Sequence, residues 1–257
     1  MKQPYYQLDF SALLCKFQIK VNDIEILSLN LDGQASTDIP INAAIFGSGK
    51  QEIEVKGYPL EGTTVLNREA YIRYKIVEQD VENDQFSVVN SSEKFQTPLA
   101  KQGEPFIIHK TTFNAEVPYQ VENWGSLQKL TNLKSDLYLP LQNTYRHLID
   151  NSRRSNYEVL FSAIKTIETR NAKTMYLGQD DLQARVKAIS DDLNNGFDVM
   201  DLENKCNVEY AGDGKLVRLV RSDGNSALAF SNSKTNEQLI LDIWFCLPHG
   251  KTGFAVF

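Results

Sequence analysis

The residues best able to do chemistry in this 257-residue chain are few: three histidines, three cysteines and some adjacent carboxylates. His109, His147 and His249 never fall four apart, and no H-E-x-x-H occurs. A sequence-local metal site is therefore not encoded, and no metal or other cofactor is expected. Cys15, Cys206 and Cys246 form no C-x-x-C pair and read as buried thiols, since free cysteine behaves as a small hydrophobe. Asp180-Asp181 and Asp191-Asp192 are sequence neighbours. Successive helix positions diverge by about 100°, so such pairs do not share a proton. Phe46-Gly-Ser-Gly-Lys50 invites a phosphate-loop reading. It fails, because Ala44 stands where the first glycine belongs and Gln51 where a hydroxyl would hold magnesium. A turn is the plain reading. No G-x-S-x-G nucleophile elbow is present.

What remains is acid–base chemistry. His249 lies in Pro248-His-Gly250, a turn where a loop imidazole can serve a site, and His147 lies in a helical stretch. Either histidine, paired with a carboxylate such as Asp242, would supply a general acid and base. Arg153-Arg154, Arg218 and Arg221 are the concentrated positive charge. Arg218 and Arg221 are an odd number apart and point to opposite faces of a strand, which weakens a composite anion site.

The elements that must position these residues fall into two groups. Up to Lys134 the apolar residues mostly alternate. Leu13 to Val21 turns at Asn22-Asp23 into Ile24-Glu-Ile26, a hairpin pattern; Gly33 to Pro40 reads as loop; Ile41 to Phe46 reads as one helical turn. Gln51 to Lys56, Ala70 to Val77, Phe106 to Phe113 and Ala115 to Val121 read as further strands, with Pro118 confining the last to an edge. Residues 1–134 are therefore expected to form an all-β sandwich.

From Ser135 the period becomes helical. Leu137, Leu141, Tyr145 and Leu148 make one stripe, with Pro140 in the first turn. Ser155-x-x-Glu158 has the form of a capping box before a helix carrying Leu160, Phe161, Ile164 and Ile167, and Asp180 or Asp181 is placed to cap a third helix. Apolar runs at Lys215–Arg221, Ser226–Phe230, Gln238–Leu247 and Thr252–Phe257 then predict an antiparallel meander. Residues 135–257 are expected to be an α+β domain, three helices followed by and packed on an antiparallel sheet.

On element order, the stretch from Asp136 to Phe257 resembles the NTF2-like, cone-shaped domains, although the strand those domains place between helices is missing. The resemblance implies a pocket lined by Tyr145, Arg218 and Trp244. In the first half, Val21-Asn-Asp-Ile-Glu-Ile26, Pro40-Ile-Asn42, Ser48-Gly-Lys-Gln51 and Tyr58-Pro59 are similar to uncharacterised Gram-negative bacterial proteins that begin with a β-sandwich. This implies a bacterial source and no chemistry.

Net charge of −6 and a pI near 5.2 disfavour sequence-independent nucleic-acid binding. No apolar run approaches the roughly 20 residues that span a bilayer. The first nine residues lack a signal peptide's apolar stretch, so with Met1 as the native start the chain reads as cytoplasmic; a signal peptide removed upstream would make it periplasmic. The expectation is a non-catalytic bacterial binding protein for a protein or small ligand, in one version an immunity-type protein neutralising a basic toxin. An enzyme using a C-terminal pocket and a periplasmic structural or adhesive module are the alternatives.

Overall fold

The computed structural model describes residues 2–257 apart from 83–84, 102, 122–123 and 134–135. It divides into two compact units, Met1–Val121 and Glu122–Phe257. The seam that periodicity places between Lys134 and Ser135 lies outside the described residues. Ahead of it, Leu127 bridges Pro248, and the Leu130 N–H donates to Gly214 O at 2.7 Å, so the 3₁₀ turns Trp124–Ser126 and Leu130–Asn132 pack within the second unit. Single turns of this kind are too short to show a period.

The first unit is built on one strand, β1 (Pro4–Val21), which forms a hairpin with β2 (Ile24–Pro40) through Asn22 and Asp23 at φ +50° and +60°. Two left-handed residues match the primed turns that favour the twist of paired strands. Residues Tyr6, Leu8, Phe10 and Ala12 of β1 are buried, and after Leu14 so are Cys15, Phe17, Ile19 and Val21. The buried set thus changes from even to odd numbers at Leu14, whose φ is +50° and where the pairing with β2 shifts register. A one-residue bulge flips side-chain parity, and here it keeps the apolar residues inward while bending the strand.

The bend changes β1's partners. Pro4 to Leu13 pairs with β4 (Tyr71–Glu82), whereas Lys16 to Val21 pairs with β3 (Gly49–Tyr58). β4 carries β5 (Gln85–Ser91) and β6 (Phe95–Gln96), and β3 carries β7 (Ile107–Ala115), so seven antiparallel strands form one sheet. Its arms curl toward each other. The Tyr74 hydroxyl of β4 and Nδ1 of His109 on β7 are hydrogen-bonded at 2.8 Å, and the His109 ring stacks on Phe95 at 5.7 Å. The unit is a curled half-barrel and not the expected pair of stacked sheets, because the bent first strand belongs to both arms.

Two local expectations also change. Gly33 to Pro40 is strand, since its polar, exposed residues still pair with β1 (Ser11 with Ser36, Leu8 with Ile39). Val117 to Val121 leaves the sheet after Ala115, as Pro118 cannot donate to a ladder. The single helical turn before β3 is present as Asn42–Ala44.

The second unit contains α1 (Tyr138–Arg153), α2 (Glu158–Met175) and α3 (Gln179–Asn194). Ser155 has φ +57° and lies outside the helix, so the capping box does not form; Tyr157 precedes α2. Gly178 caps α3 and donates its N–H to Asp181 Oδ2 at 3.0 Å, which puts both aspartates in the first turn, at the positive end of the helix dipole. The strands are β8 (Asp198–Val199), β9 (Asn207–Ala211), β10 (Leu216–Val220), β11 (Ala229–Asn232), β12 (Glu237–Ile240), β13 (Phe245–Cys246) and β14 (Ala255–Val256).

These make two short sheets, β14-β13-β10-β9 and β12-β11-β8, in place of the single meander. After Val220 the returning chain makes one bridge, Val220 with Ser226, before β11 turns to pair with β12. Leu141, Tyr145, Leu148, Leu160 and Ile164 of the helices share a core with Val217, Leu219, Phe230 and Phe245. Burying each such side chain stabilises by on the order of 1.5–3 kcal/mol. Among the described residues no helix is long and apolar enough to cross a membrane.

Candidate functional site

Tyr145, expected in a pocket lining, is fully buried. Its hydroxyl donates to Ile243 O at 3.3 Å and accepts from the Leu219 N–H at 3.2 Å, and its ring meets Phe245 edge-on at 5.4 Å. Burial pushes the phenol well above its ordinary value, with Asp242 adding to the effect, so the group stays protonated. It ties α1 to β10 and to the segment entering β13.

Arg218, Asp242 and Trp244 do come together. The β9–β10 hairpin places Arg218 directly opposite Glu209, whose Oε2 accepts from Arg218 Nε at 2.7 Å. Nη1 of Arg218 donates to Asp242 Oδ1, and the guanidinium lies 4.5 Å from the centre of the Trp244 ring. Burial alone would lower the Arg218 pKa, but Asp242 and Glu209 more than offset it and hold it above its ordinary value. Two carboxylates and an aromatic face thus engage the cation. Asp242 is engaged by Arg218. Glu209 was missed by sequence reasoning. Its signal is the Gly212-Asp-Gly214 turn, which sets the hairpin register, with Leu216 opposite Ala211.

His249 is exposed in the turn between β13 and β14. His147 is exposed on α1, with Nδ1 3.4 Å from Nδ2 of Asn151. Neither histidine has a carboxylate partner among the described residues. The three cysteines are free and buried, and burial pushes the thiols up, Cys15 to about 11, so none is poised as a thiolate. Among the described residues no cluster of histidine, cysteine, aspartate and glutamate is placed to hold a metal ion.

The concavity best suited to a ligand is a groove of about 620 Å³ between α1, α2 and the β13–β14 edge. Leu148, Val159, Ala163, Phe245, Phe254 and Val256 give it apolar walls; Thr144, His147, Glu158, Ser162 and Thr166 add polar groups. β14 is the end strand of its sheet, so one side of its backbone has no strand partner. On the α2 side the groove is lined by the small residues Ser162 and Ala163. Their only sequence signal is a second α2 stripe, Val159, Ser162, Ala163 and Thr166, at helical spacing. A second hollow, of about 630 Å³, lies between α1 and residues 201–204, where Arg153 is already paired with Asp201. No known protein family, curated protein or solved structure matches this chain.

Proposed function

We infer that this chain acts by binding, and that the second unit receives an extended polypeptide segment in the groove between α1, α2 and β14. One observation carries the reading: an apolar groove of about 620 Å³ runs beside the end strand of a sheet. A strand edge offers unpaired N–H and C=O groups, and adjacent pockets accept alternate side chains; strand addition draws affinity from the first and specificity from the second. Thr144, Ser162 and Thr166 supply hydrogen-bonding groups along the walls, and His147 and Glu158 supply them at exposed positions.

The net charge of −6 favours a basic partner, as in the toxin-neutralising version of this role in a bacterial protein. The enzyme alternative draws little support from the geometry, because Asp242 is held by Arg218 and both candidate histidines are exposed. A structural module outside the cytoplasm would use the same edge.

Selection from a displayed library of random peptides tests the proposal. The expected result is enrichment of sequences with alternating apolar residues, whose binding disappears when Ser162→Arg, at an exposed position on the groove wall, obstructs the groove. Peptides that bind the Ser162→Arg protein equally well, or no enrichment at all, would remove the groove from consideration.

A further inference from the structure

A second concavity lies on the first unit, on the outer face of its sheet, and its chemistry is of a different kind. β1 runs between β4 and β2, and the register sets Ser11 opposite both Arg73 and Ser36, and Asp9 opposite both Lys75 and Asp38. Asp9, Ser11, Ser36, Arg73 and Lys75, joined by Lys94 just before β6, line a recess of about 200 Å³. That is well above the roughly 10–15 Å³ that admits one water molecule.

The lining holds three cations, Arg73, Lys75 and Lys94, and one carboxylate, Asp9, on a chain whose net charge is −6. Asp9 pairs with Lys75 at 3.0 Å. Arg73 and Lys94 have no carboxylate partner among the described residues. Arg73 packs against the Tyr71 ring, 4.7 Å from its guanidinium carbon, and hydrogen-bonds the Tyr71 phenol, which leaves its remaining N–H groups for an outside acceptor. Ser11 Oγ accepts from Gln34 Nε2 at 3.1 Å and lies 3.4 Å from the Tyr71 hydroxyl, so a small donor network stands beside the cations. The hydrogen bond with Ser11 holds the Tyr71 phenol below its ordinary value, with Arg73 adding to the effect against some burial.

We propose that this recess binds a phosphate-class oxyanion, with Arg73 and Lys94 supplying charge and Ser11 and Ser36 supplying hydroxyl donors. A guanidinium fork matches two oxygens of such an ion, and charge-assisted hydrogen bonds are about twice as strong as neutral ones. The site takes a single compact group and not a polyanion, because Asp9 lines it and the whole-chain field is negative.

The experiment is a titration of the full chain, followed by amide chemical shifts, with inorganic phosphate and with phenyl phosphate at constant ionic strength set by chloride. The expected result is saturable binding in the millimolar range, with shifts confined to the strands around Ser11, Ser36 and Arg73. Arg73→Ala is expected to weaken it by about tenfold or more, Arg73→Lys by less, and Lys94→Ala measurably, by the charge and geometry each removes. Lys110→Ala, which removes a cation already paired with Glu54 on β3, is expected to leave it unchanged. Tighter binding of phenyl phosphate would mark a phosphomonoester on a larger molecule as the ligand; equal binding would mark the free ion. Unsaturable shifts spread over the surface, or equal losses in Arg73→Ala and Lys110→Ala, overturn the site. Should Arg73→Ala fail to fold, the Arg73→Lys and Lys94→Ala titrations decide.

Discussion

Arg170 on α2 shows how a single side chain can burden its own fold. Its guanidinium sits 4.4 Å from the centre of the Phe257 ring, and its Nε and Nη1 have no hydrogen-bond partner among the described residues. Burial lowers its pKa from the ordinary arginine value to about 10, with Glu168 opposing the shift, so the group still carries its charge near neutrality. Keeping a poorly satisfied cation out of water costs more than an apolar side chain of similar length would. Arg170→Met is therefore expected to be neutral or to stabilise by up to about 2 kcal/mol in urea unfolding near neutral pH. The sign with pH follows from linkage. The folded pKa lies below the unfolded one, so above about pH 10 the unfolded chain binds more protons and the parent gains stability as pH rises. The gap between variant and parent should then narrow above about pH 10. A clear loss of stability in Arg170→Met at neutral pH would show that the guanidinium contributes net stabilisation where it sits.

Among the elements, β5 stands apart from the other strand edges. Gln85-Phe-Ser-Val-Val-Asn-Ser91 carries no charge, no proline and no glycine; all seven residues are exposed, and it lies at the end of its sheet. β2, also an edge, carries Glu25, Asp32 and Asp38 and has Gly33 at φ +150°, while β7 carries Lys110. Natural edges are guarded by such residues, and an uncharged exposed edge is a site of strand-to-strand association. Val88→Lys is expected to slow concentration-dependent self-association, followed by light scattering, while changing stability by no more than about 0.5 kcal/mol. An unchanged association rate would mean that β5 is not the contact.

Element types were largely legible in the sequence where one period runs unbroken. The Asn22-Asp23 hairpin, β3, β4 and the three helices follow directly from residue spacing. Gly33 to Pro40 was hidden because an exposed strand beside a long partner needs no apolar face, and Val117 to Val121 misled because its apolar residues sit around Pro118. Of the candidate site, the cone-domain resemblance grouped Tyr145, Arg218 and Trp244; Arg218 and Trp244 do meet, together with Asp242 and the cross-strand partner Glu209, while Tyr145 is buried in the core. The groove could not be read in advance, because its walls come from α1, α2 and the terminal strands, which lie about a hundred residues apart in the chain and meet only on folding.

At the scale of the whole molecule, each unit has a core drawn from its own residues. The first core gathers side chains from Tyr6 to Val117, and the second from Leu130 to Val256. A stretch of about 120 residues with one continuous core is of ordinary domain size. Residues 1–121 produced alone are therefore expected to unfold cooperatively in urea, with slow amide exchange at Leu8, Phe17, Ile53 and Ile72. Exchange at unprotected rates throughout that fragment would contradict an autonomous core.

The parity change at Leu14 lets one strand serve two arms, and it sets a timetable for the nascent chain. Pro4 must wait for Asp80, its partner on β4, to leave the ribosome. At about 5–20 residues per second that delay is roughly 4–15 seconds. The local hairpin can satisfy one side of β1 almost at once. Its other side, with the greasy face that runs from Tyr6 to Val21, stays bare until translation has passed both later arms, and during those seconds the growing polypeptide is most in need of a chaperone.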